Sequence, residues 1–356
     1  MPLIRKSLLH RVFRPAFIAV AAAFGLNTLP AIAQTAAQPQ TIAFNGFAAL
    51  DAGHAHATPG KTVYRTRLVT AQNLQPVSYG NSSHGDALSA PGGRGETAVD
   101  PLPGNLAKLR SEAVLVQDLE SATVLYDKNG GEVRPIASIS KLMTALVVAE
   151  AGLPMDEMLQ ISEADIDRLK HSRSRLAVGT RLSRADMLHL ALMSSENRAA
   201  HALGRYYPGG MAAFVRAMND KARALGMRNT HFVEPTGLSS DNVSTPKDLV
   251  KLLRAASKQP LIHRYTTDDK YEVTVGRGRQ LVYNNTNRLV RNADWDITVS
   301  KTGFINEAGE CLVMLTRIDN RDVAIVLLNS SGRYSRIGDA VRIRNLVENE
   351  SKLAML

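Results

Sequence analysis

Residues 137–148 read ASISKLMTALVV, and this run constrains the fold more than any other. Ile139, Leu142, Met143, Leu146 and Val147 recur at helical spacing, and the small residues between them leave almost no polar face. A helix that is apolar nearly all round lies in an interior, with other elements packed about it. The chain must therefore build a core large enough to enclose one. Ser138 and Lys141 are three residues apart, on one side of that helix. Burial makes a lysine costly to charge and lowers its pKa. Packing alone gives no reason to place one there.

The 356 residues allow one large domain or two small ones, once the start of the chain is set aside. Arg5, Lys6, Arg11 and Arg14 precede the apolar run PAFIAVAAAFGL and the small-residue sequence AIA ending at Ala33. Residues 1–33 thus have the pattern of a cleaved secretory signal, and the apolar run is shorter than the roughly 20 residues of a membrane span. The expected mature protein is periplasmic and soluble, with no membrane-spanning segment, and no cysteine follows the cleavage site to carry a lipid. The four cationic residues belong to the signal, so a formal net charge of +10 becomes +6 in the mature chain. Such a charge suits an anionic cell wall or membrane surface. Nucleic acid is not an expected partner: aromatic residues are 5% and no nucleic-acid motif is present. Cys311 is the only cysteine, and its setting CLVML is that of a small apolar core residue.

Residues 34–105 are rich in Ala, Gly, Ser, Pro and Gln, with balanced charge and little periodicity. They read as a flexible low-complexity leader. His54 and His56 within it have no further metal ligands beside them. Residues 106–356 read as one compact domain. EAVLVQDLE and ATVLYDK alternate as a β-hairpin, NGG at 129–131 is a turn, and the apolar helix follows. A mostly helical lobe is predicted over about 156–257, with Ser183 and Asp186 as a capping pair and Gly226 as a helix stop. Strands resume with YEVTV, DITVSKTG, ECLVMLT and DVAIVLLN, and a helix over about 334–350 closes the chain. That order predicts an α/β protein of the α+β type: an antiparallel sheet flanked by helices, plus an all-helical lobe.

Ser138-x-x-Lys141 is one part of a three-part signature completed by Ser-x-Asn and Lys-Thr-Gly. Lys301-Thr302-Gly303 occurs once, at the end of an apolar strand. The other two parts each occur twice. Ser244 to Lys247, in STPKD, is a helix start, with Thr245 as cap, Pro246 behind it and Asp248 in the first turn. Ser240-Asp241-Asn242 lies in the polar loop GLSSDNVS, where turns use such residues anyway. Ser195-Glu196-Asn197 ends the apolar helix MLHLALMSS, where a packed scaffold holds it rigidly, and is the preferred second part. Each motif alone is weak, since serine and lysine are common. Three in order, each on a suitable element, form a strong signal.

A serine hydroxyl is a poor nucleophile until a base takes its proton. There is no Gly-x-Ser-x-Gly elbow, and none of the histidines, His189, His201 and His231 included, has a setting that recommends it as the base. Lys141 can serve if burial, and a second cation for which Lys301 is the candidate, lower its pKa. Pro135 places Ser138 in the first turn of its helix, where its N–H can help hold an oxyanion. Ser195 can relay a proton to a leaving amine and Asn197 can orient Lys141 and a substrate amide. Lys301 and Thr302 offer a cation and a hydroxyl to a carboxylate, and Gly303 admits a substrate backbone close to the strand.

The stretches PIASISKLMTALVV, HFVEPTGLSSDNVSTPKDL, NNTNRL and KTGFINEAGECLVM carry a family likeness over about 110–345. The chain resembles the low-molecular-mass penicillin-binding proteins, serine D-alanyl-D-alanine peptidases, and most of all the penicillin-binding-protein-7-type endopeptidases. The resemblance implies a penicillin-recognising serine transpeptidase/β-lactamase-like fold. It implies that Ser138 forms the acyl-enzyme, Lys141 takes its proton, Ser195 assists, Lys301 binds substrate and the N–H of Phe304 completes an oxyanion hole. Peptidoglycan stem peptides are then the substrate and β-lactam antibiotics covalent inhibitors, without metal or organic cofactor. Glu196 departs from the glycine common in related carboxypeptidases. Only about 27 residues follow the last strand, which favours endopeptidase over those carboxypeptidases that carry a second domain and an anchor. A carboxypeptidase, a β-lactamase using Glu234 and a non-catalytic penicillin-binding sensor are the alternatives.

Overall fold

The computed structural model describes residues 108–332 and 334–353; the expected signal (1–33) and leader (34–105) lie outside them. The hairpin consists of β1 (Ser111–Asp118) and β2 (Val124–Lys128), followed by the short β3 (Arg134–Pro135) and α1 (Ser140–Glu150). Next come β4 (Met158–Gln160), β5 (Arg181–Ser183), α2 (Arg184–Met193), α3 (Asn197–Arg205) and α4 (Gly210–Ala224). Then follow β6 (Val243–Ser244), α5 (Pro246–Ala256), α6 (Pro260–Thr267) and a ribbon of β7 (Lys270–Val275) and β8 (Arg279–Asn284). A meander of β9 (Asp296–Ile305), β10 (Gly309–Ile318) and β11 (Arg321–Ser330) leads into α7 (Ser335–Leu353).

The main sheet is antiparallel, in the order β2-β1-β11-β10-β9. The opening and closing strands meet inside it, Ala113 opposite Leu328 and Leu115 opposite Val326. Period two sends Leu115, Val313 and Val326 toward the helical lobe, and Val114, Met314 and Ile325 toward α7. Ala113 to Val116 are all buried, so β1 is a continuous apolar run and not the simple alternation expected. Helices on both faces leave no side of the strand in water.

In α1 every residue from Ser140 to Val148 is buried, as an all-round apolar helix requires. The Ser183 hydroxyl accepts from the Asp186 N–H and the Asp186 carboxylate from the Ser183 N–H, which starts α2. Gly226, at φ +70°, follows the end of α4. Two expectations need correction. The first third of the predicted lobe is not helical: β4 pairs with β5 around a loop, and helices resume only at Arg184. YEVTV joins a separate two-stranded ribbon instead of the main sheet. Its partner β8 and helix α6 went unread, because RQLVYN keeps most of its residues exposed and has too little apolar alternation to mark a strand.

For the site, the decisive placement is β9. It is an outer strand of the sheet, and it runs alongside the start of α1.

Candidate active site

Ser138 lies in a 3₁₀ turn, Ala137–Ile139, that runs straight into α1. The serine therefore precedes the α-helix proper, one turn earlier than expected. Pro135 ahead of it is held in β3 by pairing with Val243. Ala137 has φ +48°, a left-handed conformation costly for a residue with a Cβ. Two glycines hold this turn from opposite elements. A Cβ on Gly237 (φ +79°) would lie 1.9 Å from the Ala137 carbonyl oxygen. A Cβ on Gly303 would lie 3.1 Å from Ala137 Cβ, from Ile136 O and from Ser138 N. The Ser138 segment is thus clamped between the 234–239 loop and β9.

Lys141 is wholly buried, whereas Ser138 is partly exposed. Lys141 Nζ donates to Ser138 Oγ at 2.9 Å, Asn197 Oδ1 at 2.7 Å and Thr236 O at 2.6 Å. Burial lowers its pKa to about 8, against the pull of the Glu234, Glu196 and Asp167 carboxylates. Two of its three partners are carbonyl oxygens, which can only accept. A neutral amine has two N–H groups and one lone pair. With the N–H groups given to Asn197 and Thr236, the lone pair is left facing the Ser138 hydroxyl.

Ser195 has φ +62°, the second strained backbone at this site. Lys301 Nζ donates to Ser195 Oγ and to Thr302 O, both at 2.9 Å. Burial, then the charges of Lys141 and Arg336, push Lys301 well below its ordinary pKa. The expected electrostatic effect of a second cation therefore falls on Lys301, while Lys141 is lowered by loss of water. Asn197 bonds through both ends of its amide, since Nδ2 donates to Ser172 Oγ at 2.9 Å. Thr302 Oγ1 donates to Thr286 Oγ1 at 2.7 Å, and the Thr286 N–H donates to the Met193 carbonyl, tying β9 to the end of α2. Phe304, next along β9, has a side chain 56% exposed.

The structure brings Ser138, Lys141, Ser195, Asn197, Lys301, Thr302 and Gly303 into one cluster. The other candidate motifs serve elsewhere. Thr245 caps α5 through the Asp248 N–H, and Ser244 Oγ bonds Thr230 Oγ1. Asn242 accepts from the Val233 N–H and donates to the Glu234 carbonyl, bracing the loop behind Lys141. Glu234 spends its carboxylate on that loop, accepting from Thr236 N, Thr236 Oγ1 and Gly237 N at 2.6 Å each. His189 is buried between Tyr265 and Tyr271, and burial lowers it to about 4. His201 bonds Asp165, and His231 is exposed. Cys311 is buried, and burial pushes its thiol up to about 11. Sequence reasoning missed the roles of Thr236, Ser172, Thr286 and Arg336. The Arg336 guanidinium donates to Gly303 O and pairs with Glu310. These groups come from distant loops and from α7, and only the quoted EPTG and NNTNRL stretches signalled two of them.

A family model described as D-alanyl-D-alanine carboxypeptidase matches residues 97–332. The chain belongs to this family of serine D-alanyl-D-alanine peptidases. Its relative in Pseudomonas aeruginosa, a D-alanyl-D-alanine endopeptidase, is 49% identical over 242 residues, 68% of this chain and 78% of the relative. The crystal structure of the Streptomyces K15 DD-transpeptidase matches with a TM-score of 0.63 at 28% identity, over 67% of this chain and 97% of that one. Penicillin-binding protein D2 of Listeria monocytogenes, in an ampicillin-bound form, matches with a TM-score of 0.57 at 31% identity, over 67% and 98%. The peptidase thus has the fold of the penicillin-binding transpeptidases.

Proposed function

We propose that the chain is a periplasmic D-alanyl-D-alanine endopeptidase that opens peptidoglycan cross-links through an acyl-enzyme on Ser138. The observation that carries this reading is the contact of the wholly buried Lys141 Nζ with Ser138 Oγ at 2.9 Å. Lys141 takes the hydroxyl proton as Ser138 Oγ bonds to the D-alanyl carbonyl carbon. The N–H groups of Ser138 and Phe304 receive the oxyanion. Collapse breaks the peptide bond; the proton returns through Ser195 to the departing amine, leaving an ester that water hydrolyses. Lys301 and Thr302 take the carboxylate beside the scissile bond. The endopeptidase relative at 49% identity supports cross-links as the substrate, and the ampicillin-bound neighbour supports binding of β-lactams. Export rests on the signal pattern of residues 1–33; among the described residues no helix is long and apolar enough to cross a membrane.

The test is incubation of the mature protein with purified cross-linked muropeptide dimers. Monomers without free D-alanine are expected. Release of D-alanine from pentapeptide monomers, with dimers intact, would make it a carboxypeptidase instead. Labelling by fluorescent penicillin should vanish in Ser138→Ala, and a fully labelled variant would remove Ser138 from the mechanism.

A further inference from the structure

Between β4 and β5 the chain passes beside the acceptors of Lys141, where Asp167, Asn197 and Thr236 help line a cavity of about 270 Å³. The stretch from 167 to 172 is held in a set shape. His171 has φ +54°, a left-handed conformation costly for a residue with a Cβ. On the outside, Lys170 Nζ pairs with Glu307, just beyond β9, at 2.5 Å. On the inside, the Asp167 carboxylate accepts from the N–H groups of Leu169 and Lys170 at 2.9 Å each and of Ser172 at 2.8 Å. Burial would raise the Asp167 carboxyl, but hydrogen bonds from the Lys170 N–H, the Ser172 hydroxyl and the Ser172 and Leu169 N–H groups outweigh it. Asp167 is therefore held below its ordinary pKa and is ionised at neutral pH.

An ionised carboxylate can only accept hydrogen bonds. The Ser172 hydroxyl gives its single hydrogen to Asp167, and its oxygen is left to accept. It accepts from Asn197 Nδ2 at 2.9 Å, which turns the other end of that amide, Oδ1, to Lys141 Nζ at 2.7 Å. Each hydrogen bond between Asp167 and Lys141 thus has its direction set from the far end. Reversal would be felt at the base. With Asn197 turned over, an N–H would face Lys141, and the neutral amine would meet it with the lone pair that Ser138 needs. The other charged groups nearby do not set this direction. Glu234 and Glu196 act on Lys141 through charge, Asp165 is taken by His201 and Arg205, and Arg168 is exposed. Resting on the peptidase reading above, we propose that Asp167 and Ser172 are positioning residues, which fix the orientation of the Asn197 amide and so aim the Lys141 lone pair at Ser138.

The test is stopped-flow acylation by fluorescent penicillin on both sides of the Lys141 pKa of about 8, resolving the acylation step from the binding that precedes it. Ser172→Ala should slow the acylation step about tenfold, the usual effect of one hydrogen bond, with the dissociation constant of the initial complex unchanged. Ser172→Thr keeps a hydroxyl and should restore most of the rate. In Asp167→Asn a charge that favours the ammonium is gone, so the midpoint of the pH profile should move lower. Its carboxamide can donate as well as accept, so the direction is no longer imposed, and the alkaline plateau should also fall about tenfold. A lower midpoint with the plateau intact would reduce Asp167 to a distant charge and overturn its positioning role. Thermal melting checks that each variant is folded. A double-mutant cycle decides the question even if Asp167→Asn does not fold: in an Asn197→Ala background, Ser172→Ala should slow acylation no further. A second tenfold loss there, or a native rate in Ser172→Ala alone, overturns the proposal while leaving the peptidase intact. A native protein that penicillin does not acylate and that cleaves no muropeptide dimer overturns the peptidase reading and this proposal with it.

Discussion

In the proposed mechanism Lys141 acts as a base only while neutral, and its pKa of about 8 sets when that holds. Below that value the neutral fraction falls tenfold per pH unit. Penicillin acylation should therefore rise with pH up to about 8 and level off above it. Glu234 is the strongest of the carboxylates that favour the charged amine. In Glu234→Gln the midpoint should move to lower pH, and stopped-flow acylation profiles that show it fixed or raised would remove Glu234 from this role. Lys141→Met should slow acylation by about 10²–10⁴-fold, the usual contribution of a positioned base. The Ser-x-x-Lys pair and the burial of its lysine were legible in the sequence because both follow from helical spacing. The carbonyl of Thr236, which helps orient the lone pair, was not, since a backbone oxygen has no letter of its own.

The candidate active site is an agreement between elements that do not adjoin in sequence. The 234–239 loop meets the 3₁₀ turn at Gly237, and β9 meets it at Gly303. At Gly237 both the positive φ and the 1.9 Å approach forbid a side chain. Gly237→Ala should cost about 1–3 kcal/mol in urea unfolding, an overpacking penalty, and also reduce acylation. At Gly303 the approach is 3.1 Å, so neighbours need yield only slightly. Gly303→Ala should leave stability nearly unchanged yet slow acylation, because the displaced atoms include Ser138 N. If it destabilises as much as Gly237→Ala, the clamp has been misjudged. The capping box of α2 and the strand carrying Lys301 could be read from sequence, since each has a local signature. The Ser195 turn could be chosen over Ser240 only because one ends an apolar helix and the other sits in a polar loop.

The fold closes on itself through Asp339. Its buried carboxylate on α7 accepts from Arg110 N, Ser111 N at 2.8 Å and Ser111 Oγ at 2.7 Å, and pairs with Arg342 at 2.9 Å. The start of β1 is thereby pinned to the last helix. Asp339→Ala strands several buried donors and should cost about 3–5 kcal/mol, as when one partner of a buried pair is lost. A lower melting temperature with penicillin acylation unchanged at 25 °C is expected. A melting temperature equal to the native value would show that this network is dispensable.

The sequence by itself determined that a serine and a lysine three residues apart meet at the start of a buried helix, that a Lys-Thr-Gly strand follows, and that helices flank an antiparallel sheet. Each is a consequence of short-range periodicity, which a chain expresses before it folds. Tertiary structure alone decided the rest: which acceptors claim the Lys141 hydrogens, which ammonium feels the other's charge, and which backbone atoms hold the turn that carries Ser138. Those depend on distances between segments far apart in the chain, and such distances exist only once the core has closed around α1.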